Sequence, residues 1–130
     1  MPVDKIIFTG LQCLGIPYVF NAPSDQTNKF DCSSFIQYIF RVNGISLPRN
    51  SRQQSEMGLP VSFSHIQKGD LLFFTTEKRK NRRGLSKIGH VGIYIGNGEM
   101  LHTYRPENKV TISKLNSYWK AVFVTAKRVI

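Results

Sequence analysis

Cysteine is scarce in this chain: Cys13 and Cys32 are the whole supply. Two thiols allow one disulfide but not a disulfide-built scaffold, and neither sits in the Cys-x-x-Cys spacing of a zinc site. Acidic residues are scarce as well, 8 Asp and Glu against 18 Lys and Arg, for a net charge of +10. That imbalance points to an anionic partner such as nucleic acid, acidic lipid or an acidic wall polymer, and does not choose among them. No apolar run reaches membrane-spanning length. The stretch from Met1 to Gly15 has two charges before a short apolar segment and no small-residue cleavage site. The sequence therefore predicts a soluble chain with no membrane span and no export signal.

What is present suffices for one domain over residues 1–130, because 41% hydrophobic and 12% aromatic content can fill a single core. The stretch that organises it is Phe30-Asp31-Cys32-Ser33-Ser34-Phe35. From Cys32 the apolar residues Phe35, Ile36, Ile39 and Phe40 recur at helical spacing, and Asp31, Ser33 and Ser34 are capping types. With Asn43-Gly44 as the stop, a helix is predicted over 32–43. A thiol at its first turn lies at the positive end of the helix dipole, which favours thiolate; the competing reading is a small buried hydrophobe.

Val3, Ile6, Ile7, Leu11 and Leu14 predict an earlier helix closed by Gly15, with Cys13 packing beside its stripe. Residues 17–29 read as a loop that delivers the chain to Cys32, and Ser51 to Met57 as a short helix. Leu71 to Phe74 is a buried strand following the Lys68-Gly69-Asp70 turn, where the sheet is expected to begin. Residues 77–87 carry six Lys or Arg and read as a solvated loop, with a cleft-side clamp for an anionic substrate as the alternative. Val110 to Ile112 and Val122 to Val129 are further strands, with a helical turn near 115–119. Helices first and strands after predict an α+β domain, its N-terminal helices packed on a mostly antiparallel β-sheet.

Gly89 to Tyr104 is the strongest hairpin signal, two strands around Gly96-Asn97-Gly98. A two-residue Asn97-Gly98 turn would place His90 and His102 on opposite faces; a three-residue loop pairs Gly92 with His102 and places both on one face. The three-residue loop is the expectation. That face then holds His90, Gly92, Tyr94, Met100, His102 and Tyr104, while Val91, Ile93, Ile95 and Leu101 fill the other. A cysteine with two histidines could bind zinc, but the local spacings of known zinc sites are missing, so no metal and no cofactor are expected. A helix-start thiol, a strand histidine as base and a second polar group to orient it form a set suited to nucleophilic catalysis.

These motifs, taken in order, resemble the NlpC/P60 family of bacterial cell-wall cysteine endopeptidases, which have a papain-like fold. The resemblance runs from Gly15-Ile16-Pro17-Tyr18 through Phe30-Asp31-Cys32-Ser33, Leu47-Pro48-Arg49 with Gln53-Gln54, and 68–74. It continues through Gly89-His90-Val91-Gly92 and the hairpin to Leu101-His102 and the tail Ala126-Lys127-Arg128-Val129. It implies Cys32 as nucleophile, His90 as general base and then acid, and His102 as the residue that orients His90. It implies substrate-binding roles for Tyr18, Asp31 and Ser33. Ser34 stands where the family usually has glycine, Asn21-Ala22 where a Gly-Gly pair is usual, and Thr103 where alanine is common.

The reaction so implied is hydrolysis of peptidoglycan stem peptides between γ-D-glutamate and the diamino acid that follows. The expected partners are that stem peptide and an anionic cell-wall polymer, with no nucleic acid, acting at the bacterial cell wall as a monomer. One alternative keeps the mechanism on another amide, such as poly-γ-glutamate or the N-acetylmuramoyl-L-alanine bond. A second is a non-catalytic basic module binding wall polymer or nucleic acid.

Overall fold

The computed structural model describes residues 2–23 and 28–130, so 24–27 of the expected 17–29 loop lie outside the described residues. The described helices are α1 (Pro2–Leu11), α2 (Cys32–Arg41), α3 (Ser51–Gln54) and α4 (Ser117–Val122). The strands are β1 (Leu59–Val61), β2 (Leu71–Phe74), β3 (His90–Gly96), β4 (Glu99–Tyr104), β5 (Lys109–Lys114) and β6 (Phe123–Arg128). They form one sheet in the order β1-β6-β2-β3-β4-β5, every strand pair antiparallel. This is the α+β architecture expected from the order of the residues.

The α2 helix forms for the reasons read from its sequence. Asp31 accepts from the Ser34 backbone N–H at 2.8 Å while Ser34 Oγ accepts from the Asp31 N–H at 3.0 Å, a reciprocal cap that fixes where the helix starts. Phe35, Ile36, Ile39 and Phe40 are fully buried, each contributing about 1.5–3 kcal/mol by leaving water. They pack with Ile6 and Ile7 of α1 on Leu71, Phe73, Val91, Ile93 and Leu101, one face of the sheet. The opposite face is covered by Trp119 of α4 packed on Leu72, Phe74, Met100 and Ala126. All four residues of β2 are therefore buried, as a strand between two covered faces requires.

Several boundaries differ from expectation. The first helix ends at Leu11 rather than Gly15, so Leu11 and Leu14 are exposed. Gly15 instead takes a left-handed φ of 88° and opens a segment bonded to β5 and to Asn108 just before it, with Gly15 N–H to Val110 O at 3.0 Å and Tyr18 N–H to Asn108 O at 3.0 Å. The third helix is one turn, capped by Asn50. The sheet does not begin at Leu71. Leu59–Val61 forms an edge strand on β6, short and exposed; Pro60 hid it from sequence reading and is tolerated because only one side of the strand is paired.

The three-residue hairpin loop is corrected. Gly96 pairs with Glu99, leaving Asn97 (φ 54°) and Gly98 (φ 72°) as a two-residue turn with both residues left-handed. That turn alone would separate the histidines. A bulge between Tyr94 and Gly96 absorbs the extra residue, so the ladder continues with Tyr94 opposite Met100 and Ile93 opposite Leu101. The register beyond the bulge is the one expected, and His90 and His102 share a face.

Candidate active site

A cleft of about 680 Å³ opens where the N-terminus of α2 meets the first residue of β3, lined among others by Cys32, His90, Tyr18, Asp31 and Ser33. Each is delivered by a local device. The Asp31–Ser34 cap sets Cys32 at the first turn of α2, and β3 begins at His90. Tyr18 is held by its bond to Asn108 and by a bridge to Phe30, with Val19 N–H to Phe30 O at 2.9 Å and Phe30 N–H to Pro17 O at 3.0 Å. Five of the six residues singled out in the sequence therefore line one cleft.

The sixth, His102, stands behind His90 and is fully buried. His90 Nε2 and His102 Nδ1 are 2.7 Å apart, and His102 Nε2 is 2.8 Å from Ser113 Oγ on β5. Ser113 Oγ can accept from His102 Nε2–H. With that proton in place, His102 Nδ1 accepts from His90 Nε2–H, and His90 Nδ1 is left with a free lone pair. Trp119 stacks on His90 at 5.7 Å between centroids, and Tyr104 stacks on His102 at 4.9 Å. These ring contacts pack the two imidazoles in place and help fix their planes.

Ser113 and Trp119 were not found by sequence reading. Ser113 lies two residues along β5 from the partner of His102, on the same face: Met100 faces Ser113 and His102 faces Thr111. The connection, 105–108, carries Pro106 and a left-handed Asn108, which mark a turn but do not fix the register between the two strands. Arg49 was quoted only as part of a motif. It forms a forked pair with Asp31, Nη2 to Oδ2 at 2.8 Å and Nη1 to Oδ1 at 3.3 Å, and donates to Ser33 Oγ at 2.9 Å. Asp31 thus closes the helix cap and fixes Arg49 with the same carboxylate.

The electrostatics differ from the expected helix-start thiolate. Burial, with the Asp31 carboxylate adding to it, pushes the Cys32 thiol up to about 11; the Val91 and Ser33 backbone N–H groups and Arg49 oppose the rise. A helix terminus favours an anion by about 0.3–1 kcal/mol. The rise from 9.0 to about 11 amounts to roughly 3 kcal/mol against it. Burial pulls His90 down to about 4, and burial together with His90 pulls His102 lower still. Cys32 and His90, which line one cleft, therefore rest as a neutral thiol and a neutral imidazole, and a neutral imidazole can accept a proton. Both cysteines are free, and Cys13 packs in the core with its thiol 3.5 Å from Thr9 O. Among the described residues no three His, Cys, Asp or Glu side chains cluster as metal ligands would, and no helix is long and apolar enough to cross a membrane.

The NlpC/P60 family model matches residues 15–128. Over 114 residues the chain is 41% identical to a protein of Bacillus cereus named gamma-D-glutamyl-L-lysine dipeptidyl-peptidase, covering 88% of this chain and 32% of that one. It is 40% identical over 101 residues to the murein DD-endopeptidase MepS/murein LD-carboxypeptidase of Escherichia coli, covering 77% of this chain and 50% of the relative. A crystal structure of an NlpC/P60 family protein from Bacillus cereus superimposes with a TM-score of 0.85 at 38% identity, over 98% of this chain and 40% of that one. The chain thus spans a third to a half of the length of the curated relatives it matches.

Proposed function

This chain belongs to the NlpC/P60 family, and from that premise we propose that it is a cysteine peptidase acting on peptidoglycan stem peptides at the bond between γ-D-glutamate and the diamino acid that follows. The observation that carries the reading is the hydrogen-bonded line His90–His102–Ser113 ending in the cleft that holds Cys32. Relatives named for γ-D-glutamyl and murein peptide bonds support the substrate class.

In this reading His90 Nδ1 takes the proton of the Cys32 thiol as sulfur attacks the amide carbonyl, and a tetrahedral oxyanion forms. The backbone N–H groups at the start of α2 and the Tyr18 hydroxyl, which lines the same cleft, donate to it. His90 then gives the proton to the leaving amine, the C–N bond breaks, and a thioester to Cys32 remains. Water, deprotonated by His90, attacks the thioester and returns the thiol. His102 orients His90 and Ser113 orients His102. Asp31 and Ser33, fixed by Arg49, contact the stem peptide on the acyl side.

Mass spectrometry of purified peptidoglycan fragments incubated with the wild-type chain and with Cys32→Ala tests this. New ends after γ-D-glutamate from the wild type alone are expected. Retained cleavage by Cys32→Ala would overturn the mechanism. Ends at another amide would move the same mechanism to that bond.

A further inference from the structure

Of the guanidinium groups that line the cleft, Arg49 holds Asp31 and Ser33, Arg105 is exposed and lies toward Tyr18, and Arg52 and Arg79 have no role in the chemistry above. Arg52 on α3 and Arg79 in the basic loop both line it beside Gly89 and His90, and both are half-buried, while their basic neighbours Lys78, Lys80, Arg82 and Arg83 are exposed. Each is tethered by one backbone acceptor: Arg52 Nη1 donates to Ile88 O at 2.8 Å, and Arg79 Nη1 to Ser86 O at 3.0 Å. A Cβ added at Gly89 would lie 2.9 Å from Arg79 Cδ, so the stem of Arg79 lies against the segment that leads into His90.

The cleft's own carboxylates are engaged elsewhere. Asp31 pairs with Arg49 at 2.8 Å and Glu77 with Lys80 at 2.7 Å; among the described residues neither Arg52 nor Arg79 has an acidic partner. Partial burial and the nearby charges of Arg52 and Arg82 all work against the charge of Arg79. Like charges held together without a counterion are unfavourable, and an anion between them relieves the repulsion. A guanidinium fork matches a carboxylate in two parallel hydrogen bonds, which gives position as well as attraction.

The location says which part of a substrate this serves. His90 gives its proton to the departing amine, so the leaving fragment lies on the His90 side of Cys32, where both arginines stand. We propose that Arg52 and Arg79 form a carboxylate subsite for the amino acid on the leaving side of the scissile bond. This rests on the peptidase reading above and adds a specificity to it: leaving residues with a free carboxylate are preferred over the same residues amidated.

The test uses two synthetic stem peptides, identical except that the carboxylate of the leaving diamino acid is free in one and amidated in the other. The wild type should favour the free acid by about tenfold or more in kcat/KM, chiefly through KM. Arg79→Gln should bring that ratio to within about twofold of one, while Arg83→Gln, which removes a loop cation outside the cleft, should keep the wild-type ratio. A wild-type ratio near one, or an unchanged ratio in Arg79→Gln, overturns the subsite and leaves the peptidase reading standing. Cleavage of neither peptide overturns the peptidase reading and the subsite with it.

Discussion

Replacing Ser113 with alanine removes the acceptor 2.8 Å from His102 Nε2 and leaves that nitrogen in a site the solvent does not reach. A neutral hydrogen bond is worth about 0.5–1.5 kcal/mol net, and an orphaned buried donor costs about 1–3 kcal/mol. His102 can escape part of that cost by moving its proton to Nδ1. The His90 nitrogen facing it must then accept, the His90 proton moves to Nδ1, and the base that receives the Cys32 proton is lost. A shift of about 1–2 kcal/mol against the productive tautomer lowers kcat about five- to thirtyfold. KM should stay within about twofold, because Ser113 does not line the cleft. Initial rates on a defined stem peptide across pH, for wild type, Ser113→Ala and Ser113→Thr, read this out. Threonine keeps the hydroxyl and should restore most of kcat. Full kcat in Ser113→Ala, or an equal loss in both variants, would refute the tautomer argument.

With the thiol raised to about 11 and His90 lowered to about 4, alkylation of Cys32 by iodoacetamide in the free protein should rise steadily from pH 6 to pH 9; a rate plateau beginning near pH 4 would mean a resting ion pair instead. Acid should weaken the fold through the same histidines. A histidine whose pKa falls on folding gives stability that is complete above about 6.5 and lost as pH drops toward its folded value, about 4 for His90, a difference of about 3 kcal/mol. Melting curves between pH 7.5 and 4 should therefore converge for wild type and His90→Gln, and parallel curves would contradict this. Gly92 leaves room for the side chains across from it: an added Cβ would sit 2.5 Å from Met100 Sδ and 3.2 Å from His102 Cβ. Gly92→Ala should cost about 1–3 kcal/mol by overpacking, visible as a Tm lowered by several degrees, and an unchanged Tm would show that Met100 yields freely.

What the sequence determined by itself is mostly local. The start of α2, its buried face of Phe35, Ile36, Ile39 and Phe40, the burial of Leu71–Phe74 and the hairpin around Asn97-Gly98 follow from cap chemistry, spacing and turn residues, all read within a few positions of one another. Cys32, His90 and His102 were legible for the same reason, since two lie at the starts of regular elements and the third is tied to His90 by one hairpin. What only the tertiary structure decided depends on residues distant in the chain. The bulge at Ile95 reconciles a two-residue turn with a shared histidine face, because the ladder must satisfy β2 on one side and β5 on the other. Ser113 reaches His102 through the β4–β5 register, which Pro106 and Asn108 in the connection mark as a turn but do not fix. The neutral resting state of Cys32 follows from desolvation by the packed cleft, which outweighs the local helix-start effect the sequence advertises. Arg52 on α3 and Arg79 in the basic loop are far apart in the chain, and the fold brings both to the cleft beside His90.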